Sequence, residues 1–217
     1  KSVNIKSKLD LPVWPVDGVD RPSASKVAQD LRELWKVPRG PIKNLTQYLE
    51  AAGVLVFSMP NLPGVIDGVM AKFDDRYPHV IFINPKVSAD RLRFTIAHEL
   101  GHLIMHSQGP LDEEREEEER EANEFAAEIL MPEKDIKSSL FNFNINSNSI
   151  KYKEYWRVSI AALAYRAKVL GCISESKYRG TYIQISKNGW RKNEPGNVPR
   201  EEPKLVERLF EVHLERL

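Results

Sequence analysis

The sequence predicts an α+β fold in which a small sheet packs against helices and the last third of the chain is mainly helical. Three short apolar segments, 54–57, 65–73 and 79–84, have the length and composition of strands. Amphipathic patterns with helical spacing lie on both sides of these segments. Strands that are grouped in one part of a chain are typical of α+β proteins. With 41% hydrophobic residues among 217, the chain suffices for one large domain or for a domain with a small appendage.

The chain is predicted to begin with an arm and two helices. Residues 1–22 are rich in proline and aspartate and show neither helical nor strand periodicity, so we expect an extended arm or linker. Ser23 can cap a helix that Pro38 closes. A second short helix ends at Gly53, a residue that commonly terminates helices. Core packing explains the apolar faces of both helices.

A longer helix is predicted directly after the last strand. Ser88 can cap its N-terminus, Asp90 falls in the positive first turn, and the segment 107–110 stops it. Gly101 inside this helix costs about 1 kcal/mol relative to alanine, so we expect a close neighbour that requires it. The core-facing positions recur at helical spacing: Leu92, Ile96, Leu100, Leu103 and Ile104.

This helix carries a pattern that is typical of zinc peptidases. His98 and His102 are four residues apart, so both imidazoles lie on one face and can reach a single ion. Glu99 lies beside that ion and is placed to take a proton from a water molecule. The alternative, two ordinary surface histidines, fits poorly with the apolar surroundings. His106 is rotated by about 80° from His98, so we expect it to cap the helix or to lie behind the ligands.

The next segment, 113–132, is predicted to be a second amphipathic helix, which Met131 and Pro132 end. Its charges are mostly acidic, and solvation is the ordinary explanation for such a run. Its apolar stripe consists of Ala122, Phe125, Ala126, Ile129 and Leu130. The helical wheel projects four glutamates away from this stripe: Glu117, Glu121, Glu124 and Glu128.

A catalytic zinc site needs a third protein ligand, and we expect it from this second helix. Glu118 and Glu119 extend the apolar face, and Glu119 has small residues beside it that leave room for a metal. Asn123 lies one turn later and can orient a ligand histidine through its amide oxygen. We therefore predict Glu119 as the third ligand, with Glu118 and Glu121 as alternatives.

Residues 93–102 and 119–132 together resemble the two signature blocks of the ImmA/IrrE-type zinc metallopeptidases. The resemblance implies a thermolysin-like zincin core, in which a small sheet packs on the active-site helix. It also implies Zn²⁺ as the cofactor and, as the protein substrate, a Cro/C1-type helix-turn-helix repressor that the peptidase cuts or inactivates. The residues that would bind zinc are His98, His102 and Glu119, with Glu99 as the general base.

A loop rich in asparagine and serine, 141–149, divides the chain in this interpretation. Residues 23–140 would form the zinc metallopeptidase domain. Residues 150–217 would form a basic, mainly helical C-terminal region, because lysine and arginine outnumber acidic residues in most of it.

The C-terminal region invites comparison with DNA-binding helix-turn-helix motifs. We predict one helix over 156–170 that Gly171 ends, a successor that Ser174 caps, and a strand at 182–185. Lys177, however, occupies a position where that motif needs an apolar residue. DNA binding is therefore the lesser alternative, and packing against the catalytic region is preferred.

The patterns together predict a cytoplasmic zinc endopeptidase with a regulatory role. No apolar run is long enough for a membrane span, and the single cysteine, Cys172, excludes an internal disulfide and fits a reducing compartment. The rival interpretation is a non-catalytic regulatory module that binds a repressor or DNA. A second donor to the oxyanion is expected, and four residues are candidates that the sequence does not rank: Tyr152, Tyr155, Arg157 and Tyr165.

Overall fold

The computed structural model describes residues 7–14, 22–60, 62, 66–71, 77–107, 116–145, 147–191 and 193–214. Within these ranges the chain is α+β, as predicted, with nine helices and a three-stranded mixed sheet. The strands are β1 (Leu55–Ser58), β2 (Gly68–Ala71) and β3 (Val80–Ile83). The helices are α1 (Ala24–Leu34), α2 (Leu45–Ala51), α3 (Ala89–Met105), α4 (Glu116–Leu130), α5 (Glu133–Leu140), α6 (Ser147–Trp156), α7 (Ile160–Val169), α8 (Glu175–Lys187) and α9 (Leu205–Leu214).

The sheet has the order β1-β3-β2, so the most buried strand, β3, lies in the centre. β1 runs parallel to β3, with Leu55 opposite Val80. β2 runs antiparallel to β3, with Gly68 opposite Ile83, and forms an edge of the described sheet. The three predicted strands are thereby confirmed, although β2 is shorter than predicted and parts of the predicted range lie outside the described residues.

The first helix begins where the sequence predicted, after Ser23, and the second begins at Leu45. The Ser23 side chain accepts a hydrogen bond from the Lys26 backbone N–H, and Asn44 caps α2 in the same way through Gln47. In the predicted arm, residues 7–14 form no helix or strand. The backbone N–H of Trp14 nevertheless donates to the Ile104 carbonyl at 3.0 Å, so this part of the chain lies against α3.

Helices α3 and α4 pack closely at the centre of the molecule. A Cβ atom on Gly101 would lie 3.2 Å from the Ala122 Cα and 3.1 Å from Phe125 Cδ1. The expected close neighbour of Gly101 is therefore the backbone of α4. The apolar stripes predicted for both helices are buried, with Phe125 fully enclosed. α5, which was not anticipated, follows α4 directly after Pro132.

Three predictions for the later part of the chain were wrong. The predicted helix over 156–170 is interrupted, because Arg157 adopts a positive φ of 57° and Ser159 caps a new helix by accepting from Ala162 N–H at 3.0 Å. The predicted loop at 141–149 ends early, since α6 begins at Ser147. The predicted strand at 182–185 is part of α8, where Ser174 caps a full helix of 13 residues.

Buried ion pairs join the C-terminal helices to the rest of the fold. Lys153 Nζ on α6 donates to Asp90 Oδ2 at 2.7 Å and to Glu194 Oε2 at 2.9 Å. Two arginine–glutamate pairs lie in the interior as well, Arg93 with Glu201 and Arg166 with Glu128. A hydrophobic core extends from Ala24 to Ile185. The division into an arm, a peptidase domain and a C-terminal region stays a prediction.

The described helices are short relative to the thickness of a lipid bilayer. None of those in the described ranges is both long and apolar enough to cross a membrane.

Candidate metal centre

Two imidazoles and a carboxylate converge where α4 crosses α3. The Nε2 atoms of His98 and His102 are 3.0 Å apart, as their spacing of four residues on one helix predicts. Glu119 reaches across from α4, with Oε1 3.1 Å from His102 Nε2 and Oε2 3.3 Å from His98 Nε2. Both histidine side chains are largely buried, whereas Glu119 is half exposed. The site is therefore open to solvent on the carboxylate side.

The dimensions of this cluster fit a zinc ion. Zinc bonds of about 2.0–2.1 Å in tetrahedral geometry separate neighbouring ligand atoms by roughly 3.3 Å. The observed separations, 3.0 to 3.3 Å, are close to that value. Two imidazole nitrogens and one carboxylate are also the donor set of a known class of catalytic zinc site, which leaves a fourth position for water. The residues thus fit the metal that the sequence predicted.

The surroundings favour the neutral form of both imidazoles, which is the form that binds metal. Burial, the largest effect, lowers the pKa of His98 below its ordinary value. Burial, followed by the repulsion that a protonated His98 would exert, lowers the pKa of His102 to about 4. The Glu119 carboxylate opposes these shifts at both residues without reversing them.

Glu99 lies on the same helix, next to the first histidine. Burial raises the pKa of its carboxyl group to about 7, and the charge of Glu119 adds to this shift. The backbone N–H of Met70 on β2 donates to Glu99 Oε2 at 3.0 Å and partly offsets it. A carboxyl group with a pKa near neutrality can both take up and release a proton.

Each histidine also has a hydrogen-bonding neighbour on the side away from the cluster. Asn123 Oδ1 lies 3.2 Å from His98 Nδ1, and the Asn123 amide nitrogen donates to the Glu119 carbonyl at 2.8 Å. His106 Nδ1 lies 3.1 Å from His102 Nδ1. His106, which also caps α3, is therefore directly behind a predicted ligand.

The two alternatives for the third ligand are placed differently from Glu119. Within the described ranges, the residues whose ligand atoms are close enough to share an ion are His98, His102 and Glu119. Glu121 Oε2 instead lies 2.9 Å from His106 Nε2. The projection of Glu121 and Glu128 away from the packed face was wrong, since Glu121 is largely buried and Glu128 pairs with a buried arginine.

A large cleft opens beside this cluster. It lies between α3 and α4 on one side and α7 and α8 on the other, and its volume is about 1020 Å³. Its lining includes Asn123, which contacts His98, but not His98, Glu99, His102 or Glu119. Of the four candidate oxyanion donors, Tyr165 lines the cleft, whereas the Arg157 guanidinium donates to the Lys43 carbonyl.

The part of the chain that carries the metal cluster matches a known protein family. The model of a peptidase family, M78, described as the IrrE N-terminal-like domain, matches residues 49–168, which is more than half of the 217-residue chain. The matched segment contains both helices of the cluster and all three strands. The chain belongs to this peptidase family. The family is one of metallopeptidases, in agreement with the resemblance that the signature blocks carry. No curated protein matches the chain.

Sequence reasoning missed two contributions to the M78-type site. The N–H of Met70 comes from a strand that is 29 residues from Glu99, and backbone groups leave no signature in a sequence. The contact between the Glu121 carboxylate and His106 Nε2 was not predicted either. His106 ends α3 and Glu121 lies within α4, and only the crossing of the two helices brings their side chains together.

Proposed function

We propose that this M78-family chain is a zinc-dependent endopeptidase. The observation that carries the proposal is the convergence of His98, His102 and Glu119 at zinc-ligand separations, with the Glu99 carboxyl group beside them. A site that only held a metal would have no chemical need for a half-buried carboxyl group next to a ligand, fixed by a hydrogen bond from the Met70 N–H. Family membership supports the same reaction class.

The residues of the chain have separate tasks in this proposal. His98, His102 and Glu119 would hold Zn²⁺, which when bound lowers the pKa of a water molecule and polarises the scissile carbonyl. Glu99 accepts the proton of the attacking water and then donates it to the nitrogen of the leaving amine. The Met70 N–H holds the Glu99 carboxylate in place for both transfers. Tyr165 is the candidate that the cleft favours as a donor to the oxyanion.

We further propose that the substrate is a Cro/C1-type helix-turn-helix repressor, so that the peptidase has a regulatory role. Support comes from the resemblance to ImmA/IrrE-type peptidases. A protein substrate also suits the position of β2, an edge strand whose Met70 contacts Glu99, because an extended peptide can add to such an edge.

The Glu99→Gln variant tests the proposal. Purified, zinc-loaded wild-type protein is incubated with a panel of Cro/C1-type repressors, and cleavage is followed by intact-protein mass spectrometry. We expect wild type to cut at least one repressor and Glu99→Gln to cut it 10² to 10⁴-fold more slowly, because the general base is lost. Zinc content and thermal stability should remain close to those of wild type.

Glu118→Gln is the matched control, since it removes an equal charge from a glutamate outside the cluster. Equal cleavage by wild type and Glu99→Gln would disprove the assigned base. Binding of a repressor by both proteins without cleavage of any repressor would favour the rival interpretation, a non-catalytic regulatory module.

A further inference from the structure

The large cleft reaches Asn123, the residue behind His98, although the residues of the metal cluster themselves do not line it. Thr95 precedes His98 by three residues on α3, and Asn123 contacts His98 directly. A peptide that extends from the cluster past Asn123 would place its neighbouring residues in the cleft. Its volume, about 1020 Å³, is at the upper end of the usual range for ligand sites, so several substrate residues fit.

The charged groups that line this cleft are largely neutralised by one another. Arg91 pairs with Asp67, and Lys153 pairs with Asp90 and Glu194. Arg120 on α4 interacts with two glutamates of its own helix. The remaining charged side chain of the lining is Arg191, which is exposed. A strongly charged ligand would find little uncompensated charge inside the cleft.

The rest of the lining is rich in apolar and aromatic surface. Two alanines on α7 take up little of the cleft volume, and four aromatic residues form part of the cleft lining. Rings of this kind bind apolar groups through large contact areas. These residues are Ala161, Ala162, Phe94, Tyr165, Tyr182 and Trp190.

We propose that this cleft binds a large apolar side chain, aromatic or branched aliphatic, of a peptide substrate next to the scissile bond. The inference rests on the proposed function, because it takes the metal cluster as the place where the peptide is cut. In this proposal, residues of α7 and α8 select the substrate side chain. The sequence pattern of these two helices had suggested a DNA-binding motif as the lesser alternative. Tyr165 is then a specificity-determining residue.

Zinc-chelating probes separate the metal site from the cleft. The zinc-loaded protein is titrated with acetohydroxamate and with 3-phenylpropanohydroxamate, which carry the same chelating group and differ in the phenylethyl arm. We expect the phenyl compound to bind about tenfold more tightly or better, because its ring leaves water for an apolar surface. Equal affinities of the two probes would overturn the assignment of the cleft. Failure of acetohydroxamate itself to bind would overturn the zinc site and the cleft proposal together.

Substitutions in the cleft test whether the phenyl group of the larger probe binds there. Ala162→Trp fills the space and should abolish the difference between the probes while acetohydroxamate still binds. Tyr165→Ala should reduce the difference several-fold. Tyr155→Ala is the matched control, because Tyr155 is an exposed tyrosine outside the cleft lining. An unchanged difference in both cleft variants would place the phenyl group elsewhere and overturn the proposal.

A second inference concerns the row of hydrogen-bonding side chains His102, His106 and Glu121. His102 Nδ1 lies 3.1 Å from His106 Nδ1, and His106 Nε2 lies 2.9 Å from Glu121 Oε2. The side chains of His106 and Glu121 are 3% and 14% exposed, so water competes little for these contacts. The three residues lie on two helices that cross at the metal cluster.

The hydrogen-bonding roles along this chain follow from one requirement. If His102 binds metal through Nε2, its proton is on Nδ1 and is donated to His106 Nδ1. His106 then carries its own proton on Nε2 and donates it to the Glu121 carboxylate. We infer that His106 and Glu121 are positioning residues, which fix the tautomer and the ring orientation of His102.

Substitutions at His106 and Glu121 distinguish positioning from mere packing. His106→Leu should weaken zinc binding about 10 to 100-fold in a competition with a chelator, whereas His106→Gln should restore most of it. The amide of glutamine can accept from His102 and donate to Glu121, which leucine cannot. Glu121→Ala should also weaken zinc binding, while the matched control Glu118→Ala should not.

The visible spectrum of the cobalt-substituted protein provides the second measurement, because its bands report ligand geometry. We expect His106→Leu to shift or broaden these bands and His106→Gln to resemble wild type. Equal zinc affinity and an unchanged cobalt spectrum in His106→Leu would overturn the inference. Equal losses in the leucine and glutamine variants, with unfolding at lower temperature, would assign His106 a packing role and overturn it too.

Discussion

Glu99 owes its environment to three neighbouring elements. α3 carries it, α4 supplies the nearby charge of Glu119, and β2 supplies the Met70 N–H. β2 can lie this close because Gly68 has no side chain. A Cβ atom there would be 2.7 Å from Thr95 Cγ2 and 3.2 Å from the Phe82 carbonyl oxygen. Gly68 therefore sets the position of the strand that orients the proposed general base.

Substitution of Gly68 should disturb this contact. We expect Gly68→Ala to lower the free energy of unfolding by about 1–3 kcal/mol, since the added methyl group has no space. Thr95→Ser removes the obstructing Cγ2, so the same alanine should cost markedly less in that background. Urea unfolding of the four proteins in this double-mutant cycle provides the measurement. A cost that is identical in both backgrounds would refute the role of Thr95.

At the scale of residues, the sequence predicted the side chains that converge and Asn123 behind His98, but it missed two other supporting contacts. His98 and His102 face one another because four residues make about one helical turn. Only the small residues beside Glu119 distinguished it from the neighbouring glutamates, and its role as a metal ligand stays a prediction. The Met70 N–H and the contact of Glu121 with His106 depend on how elements pack, which local sequence does not specify.

At the scale of elements, the crossing of α3 and α4 positions the metal cluster. The two helices approach closely because Gly101 lets the Ala122 backbone come within contact distance. This approach brings Glu119 into reach of both histidines. The sequence predicted each helix from its apolar period, and it predicted a close neighbour for Gly101. It did not predict the break at Arg157, because the apolar spacing continues through the interruption.

Gly101→Ala tests the importance of this crossing. Alanine is intrinsically better than glycine in a helix by about 1 kcal/mol, so an unconstrained position would gain stability. Here we expect a net loss of about 1–2 kcal/mol together with weaker zinc binding, because α4 must move away. Urea unfolding and chelator competition measure the two effects. A variant that is more stable than wild type and binds zinc equally well would show that the approach is not tight.

At the scale of the whole molecule, buried ion pairs hold the C-terminal helices against the first part of the chain. Asp90 lies in the first turn of α3, and its partner Lys153 lies 63 residues later on α6. Burial alone would raise the pKa of Asp90, but hydrogen bonds from Lys153 and Ser88, with the charge of Lys153, hold it below its ordinary value. Such distant pairs are not readable from local patterns, and the sequence accordingly suggested separable regions.

The pKa of Asp90 makes a prediction about stability and pH. A carboxyl group whose pKa is lower in the folded state stabilises the fold above its unfolded value, near 3.8, and loses this effect as the pH falls through the folded value. We expect Asp90→Asn to lower the free energy of unfolding by roughly 1.5–3 kcal/mol at pH 6. The difference from wild type should shrink below about pH 4. Denaturant titrations from pH 3 to pH 7 measure it, and a difference that grows on acidification would contradict the assignment.

The metal content of the purified protein is the most direct test of the central claim. Elemental analysis under chelator-free conditions is applied to wild type, Glu119→Ala and the matched control Glu118→Ala. The account predicts about one zinc per chain in wild type and Glu118→Ala, and a large loss in Glu119→Ala, because two histidines alone hold zinc weakly. Wild-type protein that contains no zinc and takes up none on addition would contradict the account, as would full retention of zinc by Glu119→Ala.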